Sequence, residues 1–174
     1  MRQKNYFIFV ITFVVVFLFP PAFSFASSTD GTIDATYKYA KGLEANVGRI
    51  NFGLSQGNVH VTDSAVTGYA WGEHIGWINL APTNGGVSNN GEGVLSGYAW
   101  GDLAGWVNFL PTNGGVTINA GGEFQGYAWS QNYGWIIFNC ATNNSCGTDN
   151  FKVVTDWRPR SARTQCNNAT DDDN

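Results

Sequence analysis

Histidine, methionine and charge are all scarce in this chain. Two His, one Met and a 13% share of Asp, Glu, Lys and Arg in 174 residues leave few groups for acid–base catalysis. That chemistry needs carboxylates or imidazoles placed for proton transfer in environments that tune their pKa values. Nor is there a Gly-x-Ser-x-Gly elbow, a phosphate-binding Gly-Lys-Ser/Thr or a His-Glu-x-x-His pair. A formal net charge of −4 with no basic patch excludes a nucleic-acid partner, because phosphate binding requires clustered Lys and Arg. Good helix formers are sparse, whereas 22 Gly, 7 Trp, 7 Tyr and 12 Phe favour pleated, half-buried strands. An all-β, non-enzymatic chain is expected.

The abundant residues are periodic. Gly68-Tyr69-Ala70-Trp71, followed by Gly76-Trp77-Ile78-Asn79-Leu80, returns 29 residues later as Gly97-Tyr98-Ala99-Trp100 with Gly105-Trp106-Val107-Asn108-Phe109. After another 29 residues it returns as Gly126-Tyr127-Ala128-Trp129 with Gly134-Trp135-Ile136-Ile137-Phe138. A degenerate copy precedes these three: Tyr39-Ala40, then Gly48-Arg49-Ile50-Asn51-Phe52, two residues out of step. A fixed period of this size marks stacked supersecondary units. Within each unit the alternation has a period of two. Val66, Gly68 and Ala70, then Ile78 and Leu80, point one way; Tyr69, Trp71, Trp77 and Asn79 point the other. A third, shorter strand reads as Val59-Val61, Val87-Asn89 and Val116-Ile118.

The degenerate copy keeps Ile50 and Phe52 but puts Arg49 where the others have Trp. The aliphatic face is therefore the expected core, with Ile50, Phe52, Ile78, Leu80, Val107, Phe109, Ile136 and Phe138 buried. The expected fold is a tandem array of ~29-residue units of about three strands each. Asn-Gly and Gly-Gly turns favour an antiparallel meander. The alternative is a β-solenoid with Trp77, Trp106 and Trp135 stacked in line. In either case the degenerate copy reads as a polar terminal cap.

At the ends, 1–26 reads as an export signal peptide: Arg2 and Lys4, an apolar run from Phe7 to Phe19, and a small-residue site at Ser24-Phe25-Ala26. An uncleaved anchor is the alternative, although the run is shorter than the ~20 residues that span a bilayer. Losing Arg2 and Lys4 would take the charge from −4 to −6. After this come an N-terminal segment (27–36), the repeat domain (37–154), and a linker with an acidic tail (155–174). The product is expected to be secreted or at the cell surface, and not an integral membrane protein after cleavage. There Cys140 and Cys146 would close a short loop as a disulfide, leaving Cys166 unpaired. Asn143-Asn144-Ser145 and Asn168-Ala169-Thr170 match the glycosylation sequon. No cofactor is expected, apart from calcium at Asp171, Asp172 and Asp173 as the alternative to a solvated tail.

The units Gly-Tyr-Ala-Trp-x4-Gly-Trp-Ile/Val-Asn-Leu/Phe resemble the aromatic repeats of secreted and surface proteins encoded by uncultured bacteria. The stretch from Trp157 to Arg163, with Gln165-Cys166-Asn167-Asn168, is similar to the end of such arrays. That resemblance implies an extracellular location, and an Asp-rich, calcium-binding segment and another Cys following the array.

Two functional readings follow. The favoured one is a structural or adhesive interaction module, its partner an extracellular protein or a glycan surface, since repeat arrays present extended surfaces. The alternative is carbohydrate binding through Tyr69, Trp71, Trp77, Tyr98, Trp100, Trp106, Tyr127, Trp129 and Trp135, with Asn79 and Asn108 supplying hydrogen bonds. Large aromatics also pack second layers, so their exposure decides between these readings. Glu73 and Asp102 share one turn position that is Gln131 in the third copy, and His74 is matched by Leu103 and Asn132. Neither position repeats as a catalytic group, and turn roles explain both.

Overall fold

The computed structural model describes residues 29–44 and 46–163. Residues 1–26, read from the sequence as an export signal, lie outside the described residues, as do Cys166, the second sequon and the Asp171–Asp173 tail. Thirteen strands follow in order: β1 (Asp30–Gly42), β2 (Arg49–Asn51), β3 (His60–Thr62), β4 (Ala65–Thr67), β5 (Tyr69–Gly72), β6 (Gly76–Asn79), β7 (Gly86–Asn89), β8 (Leu95–Gly101), β9 (Gly105–Asn108), β10 (Gly115–Ile118), β11 (Phe124–Ser130), β12 (Gly134–Ile137) and β13 (Val153–Thr155). Two short 3-10 turns are the only helical pieces among the described residues, and no helix there is long and apolar enough to cross a membrane.

All pairings are antiparallel, and they close on themselves. One tier runs β1–β2–β5–β6–β8–β9–β11–β12 and back to β1. A second tier runs β1–β3–β4–β7–β8 and then β10–β11. The bridges Val94↔Thr117 and Glu123↔Val154, with the β1–β13 pairing, complete it. The molecule is a barrel of four units, each a long strand crossing both tiers plus one strand in each tier; in the second unit the long strand is divided at Gly68 into β4 and β5. The chain is therefore not a linear meander, and not a solenoid. Closure also corrects the reading of the degenerate first copy as a terminal cap: β1 and β2 sit between β12 and β5, so no unit is terminal. A closed barrel leaves no sheet edge open to aggregation.

The long strand changes partners at a glycine. Gly97 and Gly126 have φ of 86° and 87°, a region disfavoured for any residue with a Cβ. An added Cβ would overlap the carbonyl oxygens of Gly86 and Gly115 respectively. Beyond that bend the strand leaves β7 or β10 and joins the aromatic tier. The first unit solves the same problem differently. Lys38 occupies the glycine position, its carbonyl accepting from Phe52 N as that of Gly97 accepts from Phe109 N. The register shifts between Ile33 and Lys38, with Asp34 Oδ1 accepting from the N–H groups of Thr36 and Tyr37.

The interior follows the aliphatic alternation. Ala40, Ala70, Ala99 and Ala128 face inward opposite Ile50, Ile78, Val107 and Ile136, all buried together with Phe52, Leu80, Phe109 and Phe138. Small residues on the long strands make room for branched ones on their partners, as close packing of the interior requires. Each such Ile or Phe contributes about 1.5–3 kcal/mol of burial. The rings of Phe52, Phe109 and Phe124 surround Phe138 at 5.4 to 5.9 Å.

The second tier is closed by a residue that the repeat does not contain. Trp157 is fully buried in the core, so the packed structure extends past the boundary at 154, and 155–163 is not a linker. Its indole Nε1 donates to Asp63 Oδ1 at 2.9 Å. Asp63 also accepts from the guanidinium of Arg163 and from Arg160. The Arg163 hydrogen bonds foremost hold the Asp63 carboxyl far below its usual range, against a partly offsetting desolvation. At the other end of the chain β1 begins at Asp30, and residues 30–32 pair with β3. The 27–36 segment therefore contributes to the barrel.

Candidate functional site

The aromatic tier faces outward. Trp71 lies opposite Trp77, Trp100 opposite Trp106 and Trp129 opposite Trp135. Each pair meets edge to face, with centroids 4.9 to 5.1 Å apart. The diagonal Tyr completes a triplet: Tyr69 on Trp77, Tyr98 on Trp106 and Tyr127 on Trp135, at 6.0 to 6.4 Å. Such contacts are worth about 0.5–1.5 kcal/mol each and fix the rings' orientation. Among the described residues no second layer covers the first two triplets, whereas in the third Tyr127 packs against the cluster of Ile137, Cys140 and Phe151 and its hydroxyl donates to the Thr142 carbonyl at 3.5 Å. Tyr69, Trp71, Trp77, Tyr98, Trp100 and Trp129 are 37% to 47% exposed, values that separate an open surface from a packed one; Trp106, Tyr127 and Trp135 are half-buried.

The two asparagines chosen from the sequence have another task. Asn79 Oδ1 and Asn108 Oδ1 accept from the backbone N–H of Ala81 and Leu110, each at 2.9 Å, locking the turn after the strand. Asn108 Nδ2 lies 3.5 Å from Tyr98 Oη. Asn84 and Asn113, one unit apart in the Pro-Thr-Asn-Gly-Gly loops, are exposed. Their side chains make no hydrogen bond to another described residue. Each loop lies against the next unit's Trp. A Cβ at Gly85 would sit 2.9 Å from Trp106 Cζ3, and one at Gly114 would sit 2.8 Å from Trp135 Cζ3. Two equivalent clefts result: one of about 250 Å³ lined by Asn84, Tyr98 and Trp106, and one of about 310 Å³ lined by Leu43, Asn113, Tyr127 and Trp135. Sequence reading passed over Asn84 and Asn113 because Asn-Gly is foremost a turn signal; the available clue was their 29-residue spacing.

The fourth side differs. Where three units place Trp opposite Trp, the first places Lys41 opposite Arg49. Both bind Asp149, at 2.6 and 2.7 Å, and Arg49 also lies over the Tyr39 ring at 5.7 Å. Asp149 arrives on the insertion that replaces the Pro-Thr-Asn-Gly-Gly loop after β12. That insertion carries the disulfide Cys140–Cys146, formed as expected with Cα atoms 4.8 Å apart. Phe151 and Cys140 cover Ile137, burying a residue on the outward face. The Lys41 hydrogen bond foremost, with Arg49, holds the Asp149 carboxyl below its ordinary 3.8. Of the first sequon, Asn143 receives the Ser145 hydroxyl hydrogen bond.

His60 pairs with Asp30 at 2.8 Å on the second tier. Glu73 accepts from the Arg49 N–H, and its turn, with His74, is exposed. Among the described residues, no three His, Cys, Asp or Glu side chains gather as a metal site requires. No protein-family model, curated protein or solved structure matches this chain.

Proposed function

We propose that this barrel is a non-enzymatic, extracellular interaction module that recognises glycans through its outward aromatic band. One observation carries the reading: the Tyr/Trp/Trp triplet is repeated on three sides, and each side keeps at least one of its rings exposed. An exposed apolar surface on a soluble domain marks a contact site, and indole faces take up the C–H-rich faces of sugar rings. The export signal read at 1–26 and the resemblance to surface repeat proteins support the location. A structural or adhesive role follows from the same surface, with the glycan as the attachment point.

A glycan-array screen of the purified chain, with tryptophan fluorescence as the second probe, tests this. Saturable binding to a neutral glycan is expected. It should be lost in a variant that combines Trp77→Ala, Trp106→Ala and Trp135→Ala while the melting transition persists. Binding that survives the triple replacement, or no binding to any glycan, would contradict the reading.

A further inference from the structure

We propose that the two clefts between units, one at Asn84/Tyr98/Trp106 and one at Asn113/Tyr127/Trp135, each hold one neutral sugar ring, so that the chain binds two. This deepens the glycan reading and rests on it. Each cleft is lined by a Tyr–Trp pair and an Asn amide, and the second by Leu43 as well. Trp106 is held in place by the edges of Tyr98 and Trp100, and Trp135 by those of Tyr127 and Trp129, so neither ring needs ordering when a ligand arrives. The amides of Asn84 and Asn113 are without a partner among the described residues, each supplying two donors and an acceptor.

Charge narrows the ligand. Among the described residues, no Asp, Glu, Lys, Arg or His side chain lines either cleft, so none of them compensates a phosphate, a carboxylate or a cation there. A ligand with an apolar face and a hydroxylated, uncharged edge satisfies both the rings and the amide, and a pyranose ring is such a ligand. The volumes lie at or below the lower end of the ~300–1,000 Å³ typical of small-molecule pockets, which suits one ring rather than several.

The other two junctions are built from different residues. Before Tyr69 and Trp77 the loop reads Gly53-Leu54-Ser55-Gln56-Gly57, with no Pro and no Asn, and Ser55 bonds to Gln56. At the fourth junction Arg49 and Lys41 stand in place of the Trp pair, with Asp149 bound to both. The stoichiometry is therefore two, not three or four.

Isothermal titration with neutral oligosaccharides of glucose, mannose, xylose and N-acetylglucosamine, and with polygalacturonate as the acidic control, tests this. The wild-type chain should bind a neutral oligosaccharide at two sites and ignore polygalacturonate. Trp106→Ala or Trp135→Ala alone should leave one site, and the double variant none. Asn84→Ala and Asn113→Ala should each weaken one site about three- to tenfold. Ser88→Ala, exposed on β7 and outside both the band and the clefts, should keep both sites. Loss of binding in Trp71→Ala with retention in the cleft double variant would overturn the clefts while leaving the glycan reading intact. Preference for polygalacturonate would overturn the neutral-ligand assignment alone. Absence of binding to every oligosaccharide, with the melting transitions of all variants preserved, would overturn both.

Discussion

Three sides of the barrel expose paired indoles, and the fourth exposes an ion cluster on the same backbone. The ladder Tyr39↔Asn51, Ala40↔Ile50, Lys41↔Arg49 matches Tyr98↔Asn108, Ala99↔Val107, Trp100↔Trp106 rung for rung. The inward rung keeps Ala opposite a branched residue, the outward Tyr–Asn rung is retained, and the outward Trp–Trp rung has become Lys–Arg. Core packing therefore constrains the inner residues of all four units, while the outer residues are free to follow whatever lies outside them. On three sides that is a short Pro-Thr-Asn-Gly-Gly or Leu-Ser-Gln-Gly loop and solvent. On the fourth it is a disulfide-bearing insertion with Asp149 at its end, which two cations bind and two indoles would not.

The largest effect should come from breaking what the sides share. Val107→Asp on an aromatic side and Ile50→Asp on the ionic side each bury an unpaired carboxylate in one common core. Both should cost more than about 4 kcal/mol and abolish the cooperative thermal transition alike. If Ile50→Asp left a folded protein, the first unit would not belong to the closed barrel.

Next in size is the bend of the long strand, which the two kinds of side build differently. Gly97→Ala forces a Cβ onto the Gly86 carbonyl at a positive φ and should destabilise by about 1–3 kcal/mol in chemical denaturation. Lys38→Ala, at the equivalent place in the first unit, should change stability by less than about 0.5 kcal/mol. Equal losses would show that the register shift in β1 does not replace the glycine.

The smallest effect concerns the ion cluster. Asp149→Asn removes two partly exposed pairs and should cost at most about 1 kcal/mol at neutral pH. Because the folded carboxyl is held below its ordinary 3.8, its contribution is fully present above that pH and lost as pH falls through the lower folded value. The difference in melting temperature between wild type and Asp149→Asn should be flat at neutral pH and shrink to nothing in strong acid. A difference that instead grew with acidification would refute the assignment.

Much of this was legible in the chain. Period-two alternation identifies Ile78, Leu80, Val107 and Phe109 as core and Trp77 and Trp106 as the opposite face, because strand geometry puts neighbours on opposite sides. Closure was not legible, since the pairing of Lys41 with Ile137 joins residues nearly 100 apart and leaves no local trace. Trp157 was missed for a related reason: a single Trp among Arg, Pro and Asp has no periodicity, and its burial depends on Asp63, 94 positions earlier. The fourth side was half legible. Arg49 in place of Trp was visible, but Asp149, 100 residues away, was not, so the ionic side resembled a terminal cap. The choice of Asn79 and Asn108 over Asn84 and Asn113 rested on strand position, whereas the deciding fact is which amides the turns already occupy.

The repeated indoles face out from a closed barrel whose one non-repeat indole faces in. Seven Trp residues make this directly measurable. Hydroxyl-radical footprinting read by peptide mass spectrometry should oxidise Trp71, Trp77, Trp100 and Trp129 fastest, Trp106 and Trp135 more slowly, and Trp157 only under denaturing conditions. Protection of the six band residues in the folded chain, or oxidation of Trp157 at their rate, would contradict it.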